Sequence, residues 1–180
     1  MKKLPFTPLI FFLLFACKNQ ENEKPGNGKG EKKSEANKIT YPYTAIYSSD
    51  ISLGDPNHAK LVLNYFKCWE ENRIDDMKTL LADTISINFS NGYKFHSGPG
   101  NLIAQAKQAR SQYSSVVIAL DAWVPIHLND RNEDWVLVWE REKFIHKSGE
   151  IDSIRIHSYW KIKGNKICGW SDFDQKLLQP

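Results

Sequence analysis

Among the side chains able to move protons, His157 and Asp172 have the most suggestive spacing. Each lies in a stretch rich in β-formers, and Gly164-Asn165 between the stretches is a two-residue hairpin signal. A tight hairpin makes His157 and Asp172 candidate neighbours across a sheet. A carboxylate beside a histidine orients the ring and raises its basicity, as general acid–base chemistry requires. The same two residues read equally as a surface pair that steadies the hairpin. His96, close to Gly98, is a second acid–base candidate. Asp83 is a third, and equally a helix-end or turn residue. His58, His127 and His146 read as loop or strand-end residues. No His-Glu-x-x-His or paired-His spacing occurs, so neither a metal nor another cofactor is expected. Cys68 and Cys168 have no metal or Cys-x-x-Cys spacing and read either as small buried hydrophobes or as a bridge.

Six tryptophans stand in 180 residues. Trp69, Trp123, Trp139, Trp160 and Trp170, with Tyr65 and Tyr159, would wall a cavity suited to a small apolar or ring-bearing ligand. The alternative use of such residues is a core or a dimer face.

The elements that must position these groups follow from periodicity. His58 to Asn72 reads as a helix, with Val62, Phe66 and Trp69 on one stripe and Leu61, Tyr65 and Cys68 beside it. Asp55-Pro56-Asn57 is its start signal. A short helix is expected over 75–82 and a third over 101–113, the last with Leu102, Ala106, Ala109 and Tyr113 on one face. Strands are expected at 85–89 and 93–96, around the Asn91-Gly92 turn, then at 115–127, 135–144, 153–163 and 166–174. Pro125 marks a bend or an edge in the first long strand. Early helices followed by a long antiparallel run imply an α+β fold, a strongly curved sheet wrapped around three helices. Alternation sorts each late strand into two faces without saying which one lines a pocket.

The first residues are of a different kind. Met1-Lys2-Lys3 precedes an apolar run, Leu9 to Phe15, that is too short to span a bilayer. Leu14-Phe15-Ala16-Cys17 resembles the lipobox of bacterial lipoproteins, with Phe15 bulkier than is usual there. The resemblance implies a signal peptide over 1–16, lipidation of Cys17, and a place in the cell envelope, the outer membrane foremost. Residues 17–38 hold Lys, Glu, Asn and Gly with no aromatic and no Val, Leu or Ile after Cys17, a composition that favours a solvated tether. Residues 39–57 read as an extended lead-in and 58–180 as one domain of ordinary size. The leader carries two lysines, and the tether six lysines against four glutamates. The formal +3 of the chain therefore becomes −1 from Ile39 onward, and the domain offers no electrostatic case for nucleic acid.

A second resemblance rests on the domain. Tyr65-Phe66-Lys67-Cys68-Trp69, Leu80-Leu81-Ala82-Asp83-Thr84-Ile85 and Phe95-His96-Ser97-Gly98 are similar to the first helix, the helix-to-strand step and the Gly-bearing turn of the SnoaL-like branch of the nuclear transport factor 2-like superfamily. His157 to Ile167, followed by Trp170 and Asp172-Phe173-Asp174, resembles its closing hairpin. This resemblance implies a cone-shaped α+β barrel with a pocket between sheet and helices, and often a homodimer formed through the sheets. It implies no single activity, because the fold hosts isomerases, dehydratases, hydrolases and binding modules. The leading expectation is a tethered domain binding a small apolar or aromatic molecule. The alternatives are an acid–base enzyme and a non-catalytic interaction module.

Overall fold

Helix α1, Pro56–Glu70, starts where its cap dictates: the Asp55 carboxylate accepts the Asn57 N–H at 2.8 Å, and Pro56 takes the first turn. Its buried face carries Ala59, Val62, Tyr65 and Phe66, while Lys60 and Lys67 stay in water. It ends at Asn72, whose φ of 59° lets the Arg73 N–H return to the Cys68 carbonyl at 2.8 Å. These observations come from a computed structural model that describes residues 40–177. The leader, Cys17 and the tether lie outside the described residues. The chain divides between Tyr41 and Pro42, and the helices and strands of the described residues belong to the second unit.

Helix α2, Ile74–Met77, is a single turn that tightens into a 3₁₀ turn at Lys78–Leu80. The helix expected over 75–82 is thus shorter, and Leu81 already belongs to a strand. Helix α3, Pro99–Arg110, buries Leu102 and Ile103. Tyr113, expected on the same helix, opens the next strand instead.

Seven strands make one sheet: β1 Ile51–Leu53, β2 Leu81–Asn88, β3 Lys94–Ser97, β4 Tyr113–Leu128, β5 Glu133–His146, β6 Ile151–Lys163 and β7 Lys166–Lys176. Their order is β1-β4-β5-β6-β7-β2-β3, and the sheet is curved and not closed. The architecture is the expected α+β one. Three helices pack against one side, and β1, read from sequence only as lead-in, pairs with the end of β4. One seam departs from the antiparallel expectation: β2 runs parallel to β7. The two are far apart in the chain, so no hairpin fixes their relative direction. The Gly164-Asn165 turn between β6 and β7 has positive φ at both residues, 55° and 58°, as a tight hairpin needs. Pro125 sits where β1 stops. Its carbonyl accepts the Gly54 N–H at 2.9 Å, so its nitrogen, which has no N–H to give, faces the β1 side rather than β5.

Two polar contacts fix α1 on the sheet. Buried Arg110 donates to the carbonyls of Trp69 (3.1 Å), Glu70 (3.2 Å) and Tyr113 (3.1 Å). Its cation thereby meets the carbonyl end of α1, where the helix dipole favours positive charge. Glu70 accepts the Ile118 N–H at 3.1 Å, tying the same helix end to β4. No helix among the described residues is long and apolar enough to cross a membrane.

The parallel seam leaves no room for a side chain at Gly169. A Cβ at Gly169 would run into the backbone carbonyl of Ser86 on β2. Gly169→Ala is expected to destabilise the domain by about 1–3 kcal/mol, the usual cost of overpacking a site that cannot relax. Chemical denaturation checks it. An unchanged midpoint would mean that the β2–β7 seam gives way freely.

Candidate functional site

Sheet parity decides what lies near what. On β5, Val136, Val138, Glu140 and Glu142 point toward the helices, and all four are buried. Opposite residues of paired strands share a face. Val136 stands opposite Trp160, which stands opposite Trp170. Val138 stands opposite Ser158, which stands opposite Asp172. The inner face of the sheet is therefore apolar and aromatic at one end and acidic further along.

Between this face and the helices is a cavity of about 410 Å³. Tyr65, Phe66 and Trp69 from α1 wall it, with Leu102 and Ala106 from α3 and Trp160 and Trp170 from the sheet. Trp160 stacks on Trp170 at 4.5 Å and meets Tyr65 and Phe66 at 5.2 and 5.1 Å. Its indole N–H is satisfied by Ser158 Oγ at 2.8 Å. The volume falls within the range of small-molecule sites.

Three carboxyl groups reach this cavity: Glu140, Glu142 and Asp172. Glu140 is 2 % exposed, and its Oε2 has no hydrogen-bond partner. Burial, then the neighbouring charges of Glu142 and Asp172, push its carboxyl up to about 9. Burial, then Asp172 and Glu70, push Glu142 up to about 7. Asp172 is raised by burial and by Asp174, although the Ser90 N–H at 3.0 Å on its Oδ1 opposes the rise. At neutral pH Glu140 is a neutral acid beside groups that ionise more readily. Such a set can donate and accept protons, or neutralise a positive charge.

The cavity takes in Tyr65, Trp69, Trp160 and Trp170 of the aromatic residues expected there, together with Asp172. It does not take in the rest. His157 stands opposite Phe173 and Trp139, on the other face of the sheet from Asp172. Its ring stacks on Trp139 at 4.8 Å and its Nδ1 lies 3.2 Å from the Val138 carbonyl. The hairpin makes the two strands neighbours, but an odd offset in pairing sends the side chains to opposite sides. Tyr159 lies on that same far face, beside Trp135 and Phe173. Trp123 faces the helix side but sits at the flank of α1, near Ala59 and Leu63, and is half exposed. The pairing register shifts at Leu120/Ala122 just before it. His96 is exposed on β3, an edge strand, with its Nδ1 2.9 Å from Ser86 Oγ. Asp83 is exposed on β2.

His127 and His146 sit at strand ends and pair with Asp134 (2.8 Å) and Asp152 (2.9 Å). His58, read as the start of the first helix and also grouped with loop or strand-end residues, is buried in the first turn of α1. Cys68 and Cys168 are separate thiols. Among the described residues no three His, Cys, Asp or Glu side chains stand where they could hold a metal ion. On the far face a larger groove of about 850 Å³ runs past Tyr47, Trp135, Tyr159, Lys161 and Ser86.

Glu140 and Glu142 were not among the sequence candidates. The signal that reveals them is parity: Val136 and Val138 begin an apolar face that Glu140 and Glu142 continue.

The raised Glu140 carboxyl predicts a pH dependence. The unfolded side chain ionises near its ordinary 4.5, while the folded one keeps its proton to about 9. Its contribution to stability is thus complete below 4.5 and is lost as pH rises toward 9. Glu140→Gln removes the titration and keeps the shape. It is expected to be more stable than wild type by about 4–5 kcal/mol at pH 8, with the difference shrinking toward pH 5. Thermal unfolding at both pH values measures this, and a gap that does not change with pH would show that Glu140 titrates normally.

No family model matches this sequence, and no curated protein is similar to it in sequence. Solved structures are similar in fold. An LEH-like epoxide hydrolase from M. tuberculosis superposes with a TM-score of 0.57 at 9 % identity, over 67 % of this chain and 84 % of that one. An NTF2-like protein from Anabaena variabilis gives 0.54 at 13 % identity, over 69 % and 93 %. A putative SnoaL-like polyketide cyclase from Shewanella putrefaciens gives 0.52 at 12 % identity, over 67 % and 80 %. At such identities the likeness speaks for the fold alone, and it meets the architecture derived above: the domain has the curved α+β fold of the nuclear transport factor 2-like proteins, with a cavity between sheet and helices.

Proposed function

We propose that this chain is a lipid-anchored envelope protein whose domain binds a small, mainly apolar molecule in the cavity between sheet and helices. The observation that carries the binding role is the cavity itself, about 410 Å³ walled largely by aromatic and aliphatic side chains with a few buried polar groups. A core meant only for stability would fill such a space, since each void forfeits packing energy. The anchor rests on the sequence from Met1 to Cys17 and on the polar composition that follows it.

Glu140 favours a second reading, an acid–base enzyme. A carboxyl pushed up to about 9 stays protonated at neutral pH, and Glu142 and Asp172 beside it ionise first. That is a proton donor and proton acceptors in one pocket, without His157. The epoxide hydrolase and polyketide cyclase among the fold relatives keep this reading in view.

Binding is tested by filling the cavity. Small aromatic ligands that quench the tryptophan fluorescence of the wild type should bind Ala106→Phe at least about tenfold more weakly, a loss of about 1.4 kcal/mol. Undiminished affinity would move the ligand out of this cavity. The anchor has a separate readout. Metabolic labelling with a fatty acid should mark the wild-type chain and spare Cys17→Ser, and equal labelling of the two would remove the lipid from Cys17.

A further inference from the structure

We infer that the cavity is built for an organic cation, a protonated amine carried on an apolar or aromatic body. This rests on the pocket reading above and names its ligand class. The cavity lining contains three carboxyl side chains and no lysine, arginine or histidine. The nearest buried cation, Arg110, is occupied by the carbonyls of Trp69, Glu70 and Tyr113. Glu140 is the decisive group. It is almost wholly buried, it lines the cavity, and its Oε2 has no donor from the protein. A buried carboxyl oxygen without a partner is costly, and native structures rarely keep one without a use.

The choice among ligands follows from chemistry. An anion would meet three like charges or their protons. A neutral apolar molecule would fill the aromatic part and leave the acidic end unpaired. A metal ion needs several oxygens converging on one point at 2.0–2.6 Å, and among the described residues no such convergence exists. An ammonium head on a hydrophobic body suits both halves. Its N–H groups supply charge-assisted donors to Glu140 and its neighbours, and the faces of Trp160, Trp170 and Tyr65 accept cation and ring alike.

The arrangement links binding to protons. The titratable groups around Glu140 are Glu142 on its own strand and Asp172 on β7, with Glu70 of α1 next to Glu142, Asp174 next to Asp172, and Tyr65 of α1 across the cavity. Helix α3 contributes Gln105, and β6 contributes Ser158. All the titratable members among them are acids. In the empty cavity Glu140 retains its proton at neutral pH, and an arriving cation displaces it. Affinity for the cation therefore rises with pH until the amine itself loses its proton.

The test compares 2-phenylethylamine with its uncharged and anionic analogues, 2-phenylethanol and phenylacetate, on the full chain by calorimetry. At pH 8 the amine is expected to bind at least about tenfold more tightly than the alcohol. Its binding should release a proton, seen as an enthalpy that varies with the ionisation enthalpy of the buffer. Its affinity should fall as the pH is lowered from 8 to 6. In Glu140→Gln the preference for amine over alcohol should shrink toward unity. Equal binding of amine and alcohol by the wild type would overturn the cation inference and leave the pocket reading standing, as would tighter binding of phenylacetate. Saturable binding of none of the three would overturn both.

Discussion

The packing of Trp160 is the contact on which the rest of this domain depends. One indole stacks on Trp170 of the neighbouring strand, takes Tyr65 and Phe66 of α1 against its faces and edge, and donates its N–H to Ser158. Aromatic pairs of this kind contribute about 0.5–1.5 kcal/mol each beyond the area they bury. The larger consequence is geometric. The cluster joins α1 to β6 and β7 and sets how far the helix stands from the sheet. Arg110 and Glu70 hold the far end of α1 to the start of β4. Both sets of contacts hold the C-terminal half of α1, and the cavity lies between that half, α3 and the sheet.

The cavity combines two requirements that oppose one another. Aromatic walls exclude water, and exclusion of water penalises each carboxylate that faces them. Glu140 and Glu142 respond by keeping protons to unusually high pH. A sequence selected only for stability would replace Glu140 with an apolar residue of similar volume. Retaining an unpartnered acid there means that the folded state carries a cost whose relief comes from something that enters the cavity. The ligand class and the pH dependence of stability are two consequences of this one arrangement.

The sheet keeps two chemistries apart by parity. Its inner face carries the acids and the Trp160–Trp170 stack. Its outer face carries Trp139, His157, Tyr159 and Phe173, only one residue away along each strand. His157 and Asp172 are close in the topology and on opposite sides of a layer of backbone. Their pairing would have required the register of the β6–β7 hairpin to slip by one residue, which would also drive Trp160 out of the core.

How much of this was legible in the sequence depends on the range of the interaction involved. Local terms were readable. The Asp55-Pro56 start of α1, the Gly164-Asn165 turn, the order of helices and strands and the resulting α+β class are set by capping, by φ preference and by period, all within a few residues. Tyr65, Trp69, Trp160 and Trp170 were readable as candidate walls because large aromatic residues need a place out of water. The leader and Cys17 are a sequence signal too, and lie outside the described residues. What required the tertiary structure was which face of each strand the helices cover. That choice is made by α1 lying on β4, β5 and β7, contacts between residues far apart in the chain, and no local pattern encodes it. It sent His157, Tyr159 and Trp139 outward, left Trp123 at the flank of α1, and turned Glu140 and Glu142 from two ordinary charges on a strand into the acidic end of a largely apolar cavity.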